Sequence, residues 1–271
     1  MKREITAVVG LAIVLPALYL GGPFATVLIL IAGALAQFEL YKMFEAGGVK
    51  PLKSVGILLG VLSALHGVTQ FDPLVILILG FILVALVELF RLEEYPMFNI
   101  GATMLGVIYP ALMLSYLIDL RLGIGLPIMT NPEMQGFWLV LCVFLMVAAT
   151  DTFAYYTGKN FGTRKLLERI SPKKTWEGSM GGVLGAVVIG ILMKFTVLQF
   201  LDWADVVVMM LICGILSQFG DLVESMMKRS VNVKDSGTLL PGHGGFLDRL
   251  DALLFALAMV YTYLAYIAPQ F

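Results

Sequence analysis

Charge is scarce in this chain of 271 residues: 14% are Asp, Glu, Lys or Arg, against roughly 25% in an ordinary soluble domain. Hydrophobic residues make up 59%, and mean hydropathy is +0.93. A water-soluble fold is thereby excluded. Cysteine is scarcer still. The two present, Cys142 and Cys213, each sit inside an apolar block, with no CxxC or Cys/His spacing. They read as packing residues, not as a disulfide framework or a metal site, and leave the redox compartment unmarked. His243 has no cysteine or histidine neighbour in sequence, which argues against zinc. A net charge of -1 favours no class of partner, because in such a chain the distribution of charge matters more than its sum.

What is abundant is apolar residues in blocks of about 20, the length that crosses a hydrocarbon core. Nine spans are expected, near 5–21, 24–41, 54–70, 74–90, 100–118, 137–157, 178–199, 206–226 and 249–267. All should be helices, since lipid offers unpaired backbone groups no partner and nothing reads as alternating barrel strands. Pro110 is a candidate kink in the fifth. The basic start followed by an apolar run resembles a secretory signal. Gly21-Gly22-Pro23 is a poor cleavage site, however, so the run is kept as the first helix. With the N-terminus cytoplasmic, 16 of the 18 Lys and Arg fall inside and only Arg121 and Lys194 outside, a strong positive-inside bias. Nine crossings then place the C-terminus outside.

Two inner segments are unlike the others: 158–177, with six Lys or Arg, and 229–247, rich in polar residues and glycine. The stretch from Asp221 to Asp251 reads DLVESMMKRSVNVKDSGTLLPGHGGFLDRLD. Asp221, Ser225 and Lys228 are spaced i, i+4 and i+7, so one helix face presents a carboxylate, a hydroxyl and an ammonium. Asp248 and Asp251 are spaced i, i+3 where the ninth helix should begin. Oxygen-only carboxylates suit Mg²⁺, which completes its shell with water and substrate phosphate. Lys228, Arg229 and Lys234 supply the positive charge a triphosphate needs. Gly244 and Gly245 permit a turn that could bring amides close to phosphate. Taken singly, each residue has a plainer reading: Asp248 could cap a helix or pair with Lys228 or Arg249, and Arg249 could snorkel. Compression of all of them into 31 positions of a charge-poor chain favours function.

An earlier block runs from Asp151 through Gly158, Lys159 and Gly162 to Ser171, Lys173, Lys174 and Gly178. Ser171-Pro172 resembles a helix start, serine as cap and proline in the first turn. The glycines from Gly178 to Gly185 follow no strand, so they fit close helix packing in lipid better than a nucleotide fingerprint.

Ser225, Lys228 and Arg229, then Lys234, Asp235 and Gly237, then Pro241 through Gly245 and Asp248, Arg249 and Asp251 resemble the signature of the phosphatidate cytidylyltransferase family, the CDP-diacylglycerol synthases. The block from Asp151 to Gly178 resembles that family's inner loop. The resemblance is specific over 151–251 only. It implies an all-α polytopic enzyme that joins CTP to phosphatidate, releasing pyrophosphate. In that reading Asp221 and Asp248 together hold Mg²⁺, with Asp251 either behind those ligands or on a second cation. Lys173, Lys174, Ser225, Lys228, Arg229, Lys234, His243, Gly244 and Gly245 meet phosphate groups, and Asp151, Asp235 and Arg249 support them. Residues 131–271 would carry the catalytic site at the cytoplasmic face of the inner membrane, and 1–130 a scaffold. The sequence admits a homodimer and a second, monovalent cation such as K⁺ without requiring either. No nucleic acid is expected. Two rivals are a CTP-dependent polyprenol kinase, needing the same phosphate and metal groups, and a transporter of anionic lipid or nucleotide. Against the transporter, no internal repeat is visible.

Overall fold

The computed structural model describes residues 2–127, 129–237, 239 and 244–268, with side chains from residue 8 onward. Helices α1 (Lys2–Leu20), α2 (Gly22–Ala46), α3 (Lys53–Ala64), the single turn α4 (His66–Thr69) and α5 (Pro73–Arg91) lead to α6 (Pro96–Gly106) and α7 (Met113–Leu122). Between α6 and α7 lies a π-helical segment, Val107–Leu112. Pro110 sits inside it: proline has no N–H to give the α-helical ladder, and the widened turn absorbs that loss. Then come α8 (Pro132–Phe161), a hairpin of β1 (Lys165–Leu167) and β2 (Ser171–Thr175), α9 (Trp176–Thr196), α10 (Trp203–Leu211), α11 (Ser217–Ser230) and α12 (Asp251–Thr262).

Among the described residues six helices are long and apolar enough to cross a membrane: Gly22–Ala46, Pro73–Arg91, Pro96–Leu122, Pro132–Phe161, Trp176–Thr196 and Trp203–Ser230. Each answers to one of the nine expected spans. The other three expected spans correspond to shorter apolar helices, Val8–Leu20, Lys53–Ala64 and Asp251–Ile267. The protein is an all-α membrane protein. Cys142 and Cys213 are free and fully buried, as packing residues should be.

The chain divides into two compact units. One holds the chain up to Ile118 together with Lys228–Leu250. Its apolar centre is Leu59, Val84 and Val107. Beside that centre, the fully buried Tyr41 of α2 satisfies its hydroxyl by donating to the Thr103 carbonyl at 2.8 Å, while Gln37 donates to the Tyr41 oxygen at 2.8 Å. A buried phenol left unpaired would be costly, so this network fixes α2 against α6.

The other unit holds Asp119–Met227 and the chain from Asp251 onward. Here α8 and α9 run together along a stripe of small residues. A side chain at Gly182 would press on the Thr150 carbonyl at 3.0 Å, and one at Gly185 on the Ala149 carbonyl at 2.7 Å. The glycines therefore let two backbones approach closely, the packing role expected of them.

The hairpin between α8 and α9 corrects one expectation. Ser171 and Pro172 open a strand, not a helix, pairing Leu167 with Ser171 and Lys165 with Thr175. The register is irregular between those pairs, where a proline lacking its N–H is tolerated. The cap of α9 is instead Thr175, whose hydroxyl accepts from the Gly178 amide at 3.1 Å. Glu177 then accepts from Thr163 through its amide (3.1 Å) and hydroxyl (2.6 Å) and from the Arg164 amide at 3.2 Å, fastening the hairpin to the start of α9.

Candidate active site

Within the second unit the hairpin closes one wall of a cavity of about 550 Å³. Its lining includes Asp151, Tyr155 and Lys159 from α8, Lys173 and Lys174 from β2, Ser179 from α9, and Gln218 and Asp221 from α11. β2 brings the lysines in because it is short and ends at the Thr175 cap, which holds their backbone at the mouth of α9. Three ammonium groups thus face two carboxylates. A wall with surplus positive charge and a volume in the usual range for small-molecule sites is suited to a polyanion.

Asp221 is held from two sides in this cavity. Its Oδ2 lies 2.6 Å from Lys174 Nζ, and its Oδ1 accepts from the Ser225 hydroxyl at 3.3 Å. The pair is about 30% exposed on each side chain (27% and 31%). It contributes at most ~1 kcal/mol to stability and is easily exchanged for other ligands. Next to it, a side chain at Gly220 would meet the Asp251 carbonyl, so α11 and the start of α12 touch here. The Asp251 carboxylate itself accepts from the Ala252 amide at 2.7 Å.

In the first unit, residues 235–237 and 244–247 gather around Asp248. That residue lies in a 3₁₀ turn, Leu247–Arg249, ahead of α12. Its Oδ1 receives Lys228 Nζ at 2.6 Å, and its Oδ2 accepts from the amides of Ser236 (3.0 Å) and Gly245 (2.8 Å). Burial pushes the carboxyl up, but the Lys228 ammonium and the two amides outweigh it, and the group ionises below its ordinary value. Gly244 has φ +82°, a conformation only glycine adopts without strain.

Both acids expected at the site therefore already hold a cationic group at 2.6 Å. Their donors are hard oxygens, the chemistry Mg²⁺ selects. Among the described residues no three His, Cys, Asp or Glu side chains gather into a cage. A divalent ion at either carboxylate would complete its shell with water and substrate oxygens, as Mg²⁺ ordinarily does.

The family model described as "Cytidylyltransferase family" matches residues 1–267. The chain belongs to the cytidylyltransferase family. It is similar to the phosphatidate cytidylyltransferase of Synechocystis sp., 34% identical over 292 residues that cover 99% of this chain and 97% of that protein. The phosphatidate cytidylyltransferase of Bacillus subtilis is 32% identical over 273 residues, 98% of each chain. That of Brucella abortus reaches 43% over a shorter stretch of 141 residues, 52% of each.

In this cytidylyltransferase Asp151, Lys173, Lys174 and Asp221 share one cavity, with Ser225 bonded to Asp221. Lys228, Gly244, Gly245 and Asp248 come together in the other unit. Arg229 donates to the Val233 carbonyl at 2.9 Å, and Lys234, Asp235 and Arg249 are exposed. His243 lies outside the described residues. Two contributions escaped the sequence reading. Lys159, Ser179 and Gln218 line the cavity, although only Lys159 falls in a motif block. Glu39, in the C-terminal third of α2, lies in the first unit against Leu247, the residue before Asp248. An ionisable residue inside an apolar span is by default a functional candidate, and that signal was available.

Proposed function

We propose that this cytidylyltransferase transfers the cytidylyl group of CTP to phosphatidate, giving CDP-diacylglycerol and pyrophosphate. The observation that carries this reading is the lysine-walled cavity around Asp221, in a chain whose relatives bear the name phosphatidate cytidylyltransferase over nearly their whole length.

A phosphate oxygen of phosphatidate forms a bond to the α-phosphorus of CTP. The bond from that phosphorus to the bridging oxygen breaks, and pyrophosphate leaves with the electron pair. The nucleophile is already an anion, so the protein need not remove a proton. The work left to it is placement and charge neutralisation. Lys159, Lys173 and Lys174 offset the charge of the phosphates and of the departing pyrophosphate. The hairpin, fastened through Glu177 and Thr175, keeps two of these lysines in register with α11. Lys228 and the loop around Asp248 serve the same substrates. Mg²⁺, with Asp221 and Asp248 as its carboxylates, would neutralise the triphosphate and polarise its oxygens.

The distribution of basic residues supports a site on the cytoplasmic side of a nine-span protein, where CTP from water meets phosphatidate in the inner leaflet. A purified sample in detergent, given CTP and phosphatidate, should release pyrophosphate only when both are present. Release without phosphatidate, or none with it, would refute the assignment.

A further inference from the structure

We infer that Glu39 of α2 is a positioning residue for this reaction, holding Ser236 and Leu247 in the places that present Asp248 and, through it, Lys228. Glu39 is 2% exposed, in the C-terminal third of an apolar helix. Its Oε2 accepts from the Leu247 amide at 2.9 Å and from the Ser236 hydroxyl at 3.4 Å. These two donors flank Asp248 in the loop. Ser236 is shared between the acids: its amide donates to Asp248 Oδ2 at 3.0 Å and its hydroxyl to Glu39. Leu247, the other donor, is fully buried and immediately precedes Asp248. The loop is thus tied twice, once to its own carboxylate and once to a carboxylate supplied by a helix about two hundred positions earlier.

Two glycines gain a reason from this contact. A side chain at Gly237 would run into Glu39 Oε1, and one at Gly245 would run into the Ser236 hydroxyl and come within 2.8 Å of Glu39 Oε2. Neither glycine has a positive φ, so it is closeness to the carboxylate, not backbone conformation, that excludes a larger residue. The other oxygen, Oε1, has no hydrogen-bond partner among the described residues. A buried carboxylate with an unused oxygen is costly on grounds of stability alone, which fits retention for positioning.

The inference rests on the proposed transfer reaction and is tested with the full chain in detergent, following CTP and phosphatidate turnover. Both bonds fall on one oxygen, so Glu39→Gln, its carbonyl in the place of Oε2, keeps them and should stay within about threefold of wild type. Glu39→Ala leaves the Leu247 amide buried without an acceptor, and kcat/KM for CTP should fall about 10- to 100-fold. Gly237→Ala should lower kcat/KM in the wild-type background but cause no further loss in the Glu39→Ala background, because the Glu39 atoms nearest its methyl are then gone. Should Glu39→Ala fail to insert, Gly237→Ala against wild type and Glu39→Gln still decide. Wild-type turnover in Gly237→Ala, or a Gln variant as impaired as Ala, would overturn the positioning role. A wild-type protein that does not turn over this substrate pair would instead refute the function itself.

Discussion

Replacing Lys173 and Lys174 together by glutamine separates a catalytic role for the hairpin from a topological one. Both line the cavity, and of the two Lys174 forms an ion pair among the described residues, with Asp221 at 2.6 Å. That contact joins side chains 27% and 31% exposed, so its loss should cost no more than ~1 kcal/mol of stability. A charge-assisted hydrogen bond from each ammonium to a phosphate is worth roughly 1.5–3 kcal/mol. Two such bonds amount to about 3–6 kcal/mol, on the order of 10²- to 10⁴-fold in kcat/KM. The hairpin itself should persist, because Glu177 and Thr175 hold it without help from either lysine. The assay is steady-state turnover of CTP at saturating phosphatidate, alongside thermal unfolding of the same detergent sample. A loss of two decades or more at nearly unchanged unfolding temperature is expected. Unchanged kinetics in folded, correctly inserted protein would return the two lysines to the role of topogenic charge.

Asp221→Asn and Asp248→Asn should each remove nearly all turnover while protein yield stays close to wild type, and raising Mg²⁺ should restore little; near-normal rates at limiting Mg²⁺ would exclude that carboxylate as a ligand. Asp248 ionises below its ordinary value of 3.8, so the stabilisation it gives the loop is complete above that pH and is lost as the pH falls through the depressed value. Tryptic cleavage at Lys234, or another loop probe compatible with acid, should report protection that is constant above about pH 5 and declines only in stronger acid. Gly244→Ala should destabilise the loop by about 1–2 kcal/mol, because φ +82° is left-handed backbone that alanine resists. Single cysteines introduced at positions 235 and 203 should label from opposite faces of the membrane, the first from the cytosol; labelling from one face would refute the nine-span arrangement.

The apolar helices were legible because lipid imposes one demand along the whole chain: six of the expected segments coincide with helices long enough to cross a membrane, and the other three fall on shorter apolar helices. The stripe Gly178 to Gly185 was read as packing for the same physical reason, and α8 does lie against it. Local signals did less well. Ser171-Pro172 and Thr175-Trp176 both offer a hydroxyl just before a plausible first turn. What decides between them is pairing with Lys165–Leu167, a contact that proline statistics do not contain. Asp221 stood out because it lies beside other polar residues. Glu39 was lost among apolar neighbours, and its donors Ser236 and Leu247 are too remote in sequence for any spacing rule to join them. The pairing of Lys228 with Asp248 stood only as the plainer alternative to metal binding, and the folded loop shows that the pair forms.

The central claim, that the cytidylyl group and not a terminal phosphate passes to the lipid, is tested most directly by position-specific label. The purified protein is given phosphatidate with CTP labelled at the α-phosphorus in one reaction and at the γ-phosphorus in another, and the lipid is extracted and counted. The α label should appear in the lipid, matched one for one by pyrophosphate, and the γ label should remain in water. Label from the γ position in the lipid would mark a kinase, and no transfer from either position would contradict the account.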